Sequence, residues 1–181
     1  MAYHVTIKTG NLLDAPASDF IVNPSNTVLQ LGSGVSGAFA RACGPALQSA
    51  MTRALKETGT LQKGDVVATG GCARFGSMLH AAVMDYNPGA AEALPRLGEI
   101  ETILRNIQTA LAAFAALHGK NVTLALPLMG TGVGGLDKRQ VLEIYRDFFR
   151  SGVGFECEVL LYAHSEGDGA LMRSVFGEEL A

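Results

Sequence analysis

The sequence predicts a layered α/β domain. Short β-branched or apolar runs alternate along the chain with helical ones, where segregated strands and helices would mark a different class. Nearly half of the 181 residues are apolar, enough to fill one ordinary core without a disulfide or a metal. Two of the apolar runs pass through glycine-rich segments into helices, giving a strand, loop and helix unit twice over. Residues 1–181 read as one domain, with no internal repeat, low-complexity tract or interdomain linker.

Strands are expected over residues 3–8 and 19–23. Val35 to Glu57 reads as helical, with an interruption at Gly44-Pro45. The segment 64–89 holds strand-like pieces at 65–69 and 78–84 joined through GGCARFGS, which predicts a hairpin-like connection or a long loop. Between Pro95 and Gly119 the residues Leu97, Ile100, Leu104, Ile107, Leu111, Phe114 and Leu117 recur every three or four positions, the signature of a helix with one buried face. A strand over 121–127 leads to a helix beginning near Asp137, an N-cap with Gln140 three residues on. Val141, Tyr145, Phe148 and Phe149 lie along one side of that helix. A strand over 156–163 and a helix from about Asp168 to Leu180 close the chain.

Bulk chemistry excludes several classes. A formal charge of −3 and the lack of a dense Lys/Arg run argue against affinity drawn from a nucleic-acid backbone. The start, MAYHVTIKTGN, lacks the basic and apolar regions of a secretory signal, and no apolar stretch approaches a membrane span. Cys43, Cys72 and Cys157 match neither a zinc spacing nor a redox pair, so no metal is expected. Reduced, buried thiols in a cytoplasm are the expectation. His4, His80, His118 and His164 are scattered singly; His80 in a strand-like run and His118 at a helix end read as structural histidines, and Asp85 and Asn87 in MDYNPG read as a turn.

The two glycine loops carry the chemistry. In FIVNPSNTVLQLGSGVSGAFARACG a buried strand passes through Gly32-Ser33-Gly34 into a helix near Val35. A helix N-terminus leaves N–H groups unpaired and carries partial positive charge, and glycines let a phosphate approach them without meeting a Cβ. In VTLALPLMGTGVGGLDKRQ a buried strand runs into Gly130, Gly132, Gly134 and Gly135 and a capped helix. Taken alone, Gly130, Gly132 and Gly135 spell the dinucleotide fingerprint G-x-G-x-x-G, so an NAD(P)-binding oxidoreductase-type domain built on GTGVGG is the alternative. Its position argues against it: the fingerprint belongs to a first βαβ unit, with an acidic residue at the end of the next strand. Here it sits in the last third of the chain, and Glu156 falls at the start of the next strand.

Both loops, in this order and with these flanks, resemble the macro domain family, whose members bind ADP-ribose. The family reads roughly G-D-I, V-N-A-A-N, G-G-G-V before a helix, and a buried strand into S-x-G-[VI]-[YF]-G. This chain offers Gly10-Asn11-Leu12, Val22-Asn23-Pro24-Ser25-Asn26, Gly32-Ser33-Gly34-Val35 and Gly130-Thr131-Gly132-Val133-Gly134-Gly135. GDVVATGG and the strand ending in Leu160-Leu161-Tyr162 also fall where the family has them. The resemblance implies a three-layer α/β/α sandwich on a mixed, mostly parallel sheet. It implies ADP-ribose or an ADP-ribosylated macromolecule as partner, with no further cofactor.

Residue by residue, the resemblance puts Asn11, beside Leu12, where the family has an aspartate accepting from the adenine 6-amino group, and Tyr162 on the adenine face. Asn26 would hydrogen-bond the distal ribose and orient the bond that hydrolytic members cleave, while Asn23 braces the loop. The diphosphate would lie along the amides of Gly32 to Val35 and Gly130 to Gly134. Departures bear on catalysis: Ser36 replaces the aspartate that activates water in many hydrolytic members, and a serine cannot take a proton at neutral pH. Gly134 replaces an aromatic lid over the distal ribose, leaving that end open. Ser33 replaces the middle glycine and adds a hydroxyl at the phosphate. No lysine occupies the first loop, so the branch using a covalent lysine intermediate is not resembled.

Overall fold

In the computed structural model, which describes residues 1–32, 34–119 and 121–177, six strands alternate with five α-helices. The strands are β1 (Tyr3–Thr9), β2 (Ser18–Asn26), β3 (Val66–Gly70), β4 (Phe75–Met84), β5 (Val122–Pro127) and β6 (Cys157–Ala163). The helices are α1 (Gly34–Cys43), α2 (Pro45–Thr58), α3 (Leu97–His118), α4 (Lys138–Arg150) and α5 (Glu166–Phe176), with a one-turn 3-10 helix at Leu12–Asp14. The strands make one sheet in the order β1-β6-β5-β2-β4-β3, parallel throughout except that β3 runs antiparallel to β4. The segment joined through GGCARFGS is thus a hairpin.

Alternation along the strands builds two cores, one on each face of the sheet. Phe20, Val22, Leu124, Leu126, Val159 and Leu161 pack with residues of α3, α4 and α5. Ile21, Val67, Met78 and Ala125 point the other way, onto Leu12, Phe39 of α1 and Leu47 and Met51 of α2. The result is a three-layer α/β/α sandwich on a mixed, mostly parallel sheet.

Local chemistry sets the helix ends. Proline at N1 starts α2 after Gly44, whose φ of +68° suits glycine. Asp137 caps α4 by accepting from the Gln140 N–H at 3.0 Å, and Ser165 caps α5 by accepting from Asp168 at 3.2 Å. Glu178 to Leu180, expected in the last helix, lie outside the described residues. On α3 the expected face is buried at Ile100, Leu104, Ile107 and Leu111, but Leu117 is 82% exposed. The 3.6-residue period carries the stripe instead to Phe114 and Ala115, and the exposed His118 ring lies with its centroid 4.2 Å from that of Phe114.

Two expectations change. The second strand continues past residue 23 to Asn26, held in parallel register with β4 along that stretch, where the Asn23 amide nitrogen meets the buried His80 ring. Pro24, which cannot donate, is tolerated because beyond Ile21 the strand registers only with β4. The thiols are not all reduced: Cys43, at the end of α1, and Cys72, in the β3–β4 turn, form a disulfide with a Cα–Cα distance of 5.7 Å. A sequence separation of 29 hid a proximity that only the fold creates. Cys157 is free and buried, its thiol pushed up to about 12 by burial. No helix among the described residues is long and apolar enough to cross a membrane, and none of their His, Cys, Asp and Glu side chains group as a metal site.

Candidate functional site

The site follows from the strand order. From β2 the chain moves outward through α1 and α2 to β3 and β4, whereas from β5 it moves through α4 to β6 on the other side. Where connections diverge, an α/β sheet leaves a crevice at the carboxyl ends of its strands. Pairing between β2 and β5 is short as well, limited to Phe20 with Leu124 and Ile21 with Ala125. Asp19 and Thr123 pin the two strands below that point, through Asp19 N–H to Thr123 Oγ1 at 2.7 Å and Thr123 N–H to Asp19 Oδ2 at 3.0 Å. Above it opens a cleft of about 520 Å³.

The first wall is the segment after β2. A register shift against β4 at Ser25 and Asn26 sets Met84, not Val83, opposite Asn26, a bulge of the kind that re-aims side chains beside sites. The Asn26 carboxamide then holds its own loop: Oδ1 accepts from the Val28 and Gln30 N–H groups, each at 3.2 Å, and Nδ2 donates to the Gln30 carbonyl at 2.9 Å. Gln48 of α2 fixes the next stretch, accepting from Leu31 N–H at 2.8 Å and donating to the Leu29 carbonyl at 2.9 Å. Gly37 packs the helix start against this loop, since a Cβ there would fall 2.6 Å from the Gly32 carbonyl oxygen. The start of α1, at Gly34, Val35 and Ser36, lines the cleft and has no acidic residue in its first turn. Its N–H groups are therefore available to an anion.

The second wall follows β5. The buried Tyr145 hydroxyl donates to the Pro127 carbonyl at 2.9 Å and accepts from Met129 N–H at 3.1 Å, fixing where the loop departs. Gly135 N–H bonds the Gly132 carbonyl and Leu136 N–H the Gly130 carbonyl, each at 3.0 Å. Among the described residues none accepts from the N–H groups of residues 130–134, so the loop presents a row of unpaired donors.

Of the residues the sequence singles out, Asn26, Gly32, Gly34, Val35, Gly130, Thr131, Gly132, Val133, Gly134 and Tyr162 line this one cleft. Asn11 and Leu12 do not. Asn11 Oδ1 caps the 3-10 turn by accepting from Leu13 N–H at 3.0 Å, and Leu12 is buried in the core beneath α1. Ser33 lies outside the described residues. Gly134 does more than lack a lid, because a Cβ there would fall 2.6 Å from the Gly130 carbonyl oxygen and 2.9 Å from Pro95. The loop as folded has no room for a side chain at this position.

Sequence reasoning missed Ser25, Tyr86, Lys138, His164 and Asp168, all of which line the cleft. They come from five separate strand and helix ends, and no local pattern marks them as a set. Lys138 Nζ and Asp168 Oδ1 pair at 2.7 Å near Tyr162 and His164. Tyr86 is half exposed on the opposite rim, its N–H held by Thr27 Oγ1 at 2.9 Å. Asp85 and Asn87 form the expected turn, with Asp85 Oδ1 accepting from Asn87 N–H and the Thr27 hydroxyl. The Asn87 N–H first, and then Thr27, hold that carboxyl below its usual range.

Beneath the cleft, His80 is wholly buried between Asn23 Nδ2 at 3.0 Å and Thr69 Oγ1 at 2.7 Å. Burial lowers its pKa to about 4, so the ring is neutral and structural at ordinary pH. A larger hollow of about 790 Å³ lies at the other end of the sheet, lined by Gln108, Ala112, Asn121, Phe155 and Glu156. It has neither glycine loop and sits at the wrong strand ends for a nucleotide. Glu156 belongs to that end and pairs with His4 Nε2 at 2.7 Å and the N-terminus at 3.4 Å. It cannot act as the ribose-binding acid of a dinucleotide fold.

Comparisons with known proteins fit this geometry. The sequence model of the macro domain family matches residues 22–145. Over 127 residues the chain is 32% identical to an O-acetyl-ADP-ribose deacetylase of Klebsiella pneumoniae, covering 70% of this chain and 68% of that protein. A protein of Thermotoga maritima is 30% identical over 135 residues, which is 72% of this chain but only 21% of the relative's length. Among solved structures, the Oceanobacillus iheyensis macrodomain with ADP superposes with a TM-score of 0.75 at 20% identity, covering 94% of this chain and 88% of that one. A Trypanosoma brucei macrodomain in complex with ADP-ribose gives 0.70 at 23% identity, over 96% and 69%. Identities this low establish a shared fold.

Proposed function

The chain belongs to the macro domain family, and we propose that it binds ADP-ribose or a derivative between the loops that follow β2 and β5. The observation that carries the reading is that residues 130–134, whose N–H groups have no acceptor among the described residues, line one cleft together with the start of α1. A diphosphate needs several donors converging from two sides, and backbone amides supply them without a cationic side chain. Lys138, the lysine in the lining, is already paired with Asp168. The diphosphate would then run between the two loops, with adenosine toward Tyr162 over β6 and the second sugar toward Ser25 and Ser36 over β2. The partner is free ADP-ribose or an ADP-ribosylated macromolecule, read through pocket contacts alone. We place the protein in the cytoplasm; the Cys43–Cys72 bridge, uncommon in that reducing compartment, is the one observation that speaks against the placement. Nothing in the cleft favours the oxidoreductase alternative.

A second reading, hydrolysis of ADP-ribosyl esters, draws on the name of the Klebsiella relative. The chemistry at the distal end gives it less help. Among the described residues the carboxylate lining the cleft is Asp168, bonded to Lys138 at the opposite end, and Ser36 is no general base. Water would have to be positioned by the substrate itself, with Asn26 holding the loop that orients it. Incubation with O-acetyl-ADP-ribose, beside an Asn26→Ala variant, separates the readings. Ester release by the parent that falls at least tenfold in the variant supports hydrolysis; no release by the parent leaves binding alone.

A further inference from the structure

We infer that the hydroxyls of Ser25 and Ser36, more than the Asn26 carboxamide, hold the distal sugar of the bound nucleotide, an inference that rests on the reading of the cleft as an ADP-ribose site. Ser25 is 5% exposed and Ser36 8%, both line the cleft, and neither hydroxyl has a hydrogen-bond partner among the described residues. A buried hydroxyl without a partner costs stability, and native proteins carry few of them. Two in the lining of one cleft point to partners that arrive with a ligand.

Asn26, between them in the chain, is already occupied. Its oxygen accepts two backbone N–H groups and its nitrogen donates to a carbonyl, all within residues 26–30. At most one N–H and little acceptor capacity remain. The serines are placed for the sugar that lies beyond the phosphates. Ser25 is next to last in β2 and Ser36 is in the first turn of α1, whereas Tyr162 is next to last in β6, with β5 between β6 and β2 in the sheet. A diphosphate lying at the start of α1 thus has adenosine on the β6 side and its second sugar on the β2 side. Each serine hydroxyl both donates and accepts, as does each hydroxyl of a ribose diol. A carboxylate could only accept. The pair therefore selects a nucleoside diphosphate that carries a vicinal-diol sugar over one that ends at the β-phosphate.

Titration calorimetry with ADP-ribose and with ADP, on the parent, Ser25→Ala, Ser36→Ala and the double variant, tests this. Each single change is expected to weaken ADP-ribose about three- to tenfold, the size of one neutral hydrogen bond, and the double change about 10- to 100-fold. ADP should bind all four proteins alike, because it lacks the second sugar. Melting temperatures should stay level or rise, since each variant loses an unpaired buried hydroxyl; a fall would mark the serines as structural and overturn the inference. Equal losses for both ligands, or no loss for either, would also overturn it while leaving the nucleotide site standing. A parent that binds neither ADP nor ADP-ribose would overturn the site itself and the inference with it.

Discussion

Burial sets the chemistry of His80. Its ring is wholly enclosed, and desolvation lowers its pKa from 6.5 to about 4. Between those values the unfolded chain binds a proton that the native protein does not. The stabilisation is thus complete above about pH 6.5 and is lost as the pH falls toward 4, by about 3 kcal/mol in all. Imidazole resonances followed by NMR should show His80 neutral down to about pH 5, and a midpoint near 6.5 would refute its burial as a neutral bridge between Asn23 and Thr69. The isolated histidine in a strand was legible in the sequence as a structural residue; its two partners were not, because Asn23 and Thr69 lie 57 and 11 residues away. Asn26 shows the same limit. Its motif marks it as a site residue, yet nothing in the motif says that its carboxamide is consumed by the loop it starts.

At the scale of elements, periodicity and caps made α3, α4 and the buried β5 legible, and glycine spacing marked both loops. What stayed hidden was how neighbouring elements hold those loops still. Gln48 sits on an amphipathic helix like any surface glutamine, but it bridges Leu29 and Leu31. Gln48→Ala would leave a buried carbonyl and an N–H unpaired, so denaturant unfolding should register a loss of about 1–3 kcal/mol. ADP-ribose affinity should fall with it, and an unchanged affinity would show that the first loop needs no such brace. The Cys43–Cys72 bridge, which fastens the far end of α1 to the β3–β4 turn, escaped the sequence for the same reason. Contacts between elements leave no trace in the spacing of either one.

For the whole molecule, the sheet order decides where a ligand sits. Chain connections diverge on either side of β2 and β5, their pairing ends at Ile21 and Ala125, and the glycine loops stand on opposite sides of the gap. Strand and helix alternation could predict the layers, and the macro domain resemblance could predict the crevice. Neither could predict that Lys138, His164, Asp168 and Tyr86 would complete its walls, since these residues meet only once four strand ends are brought together. Gly132 offers the sharpest probe of this arrangement. A Cβ there meets no atom within 4 Å, so the fold tolerates a side chain that would fill the space meant for phosphate. Calorimetry of ADP-ribose binding to the parent and to Gly132→Leu should give a saturable signal, stronger than that for NAD, in the parent and none in the variant at unchanged melting temperature. Equal binding by the two proteins, or none by the parent, would contradict a diphosphate held between the loops.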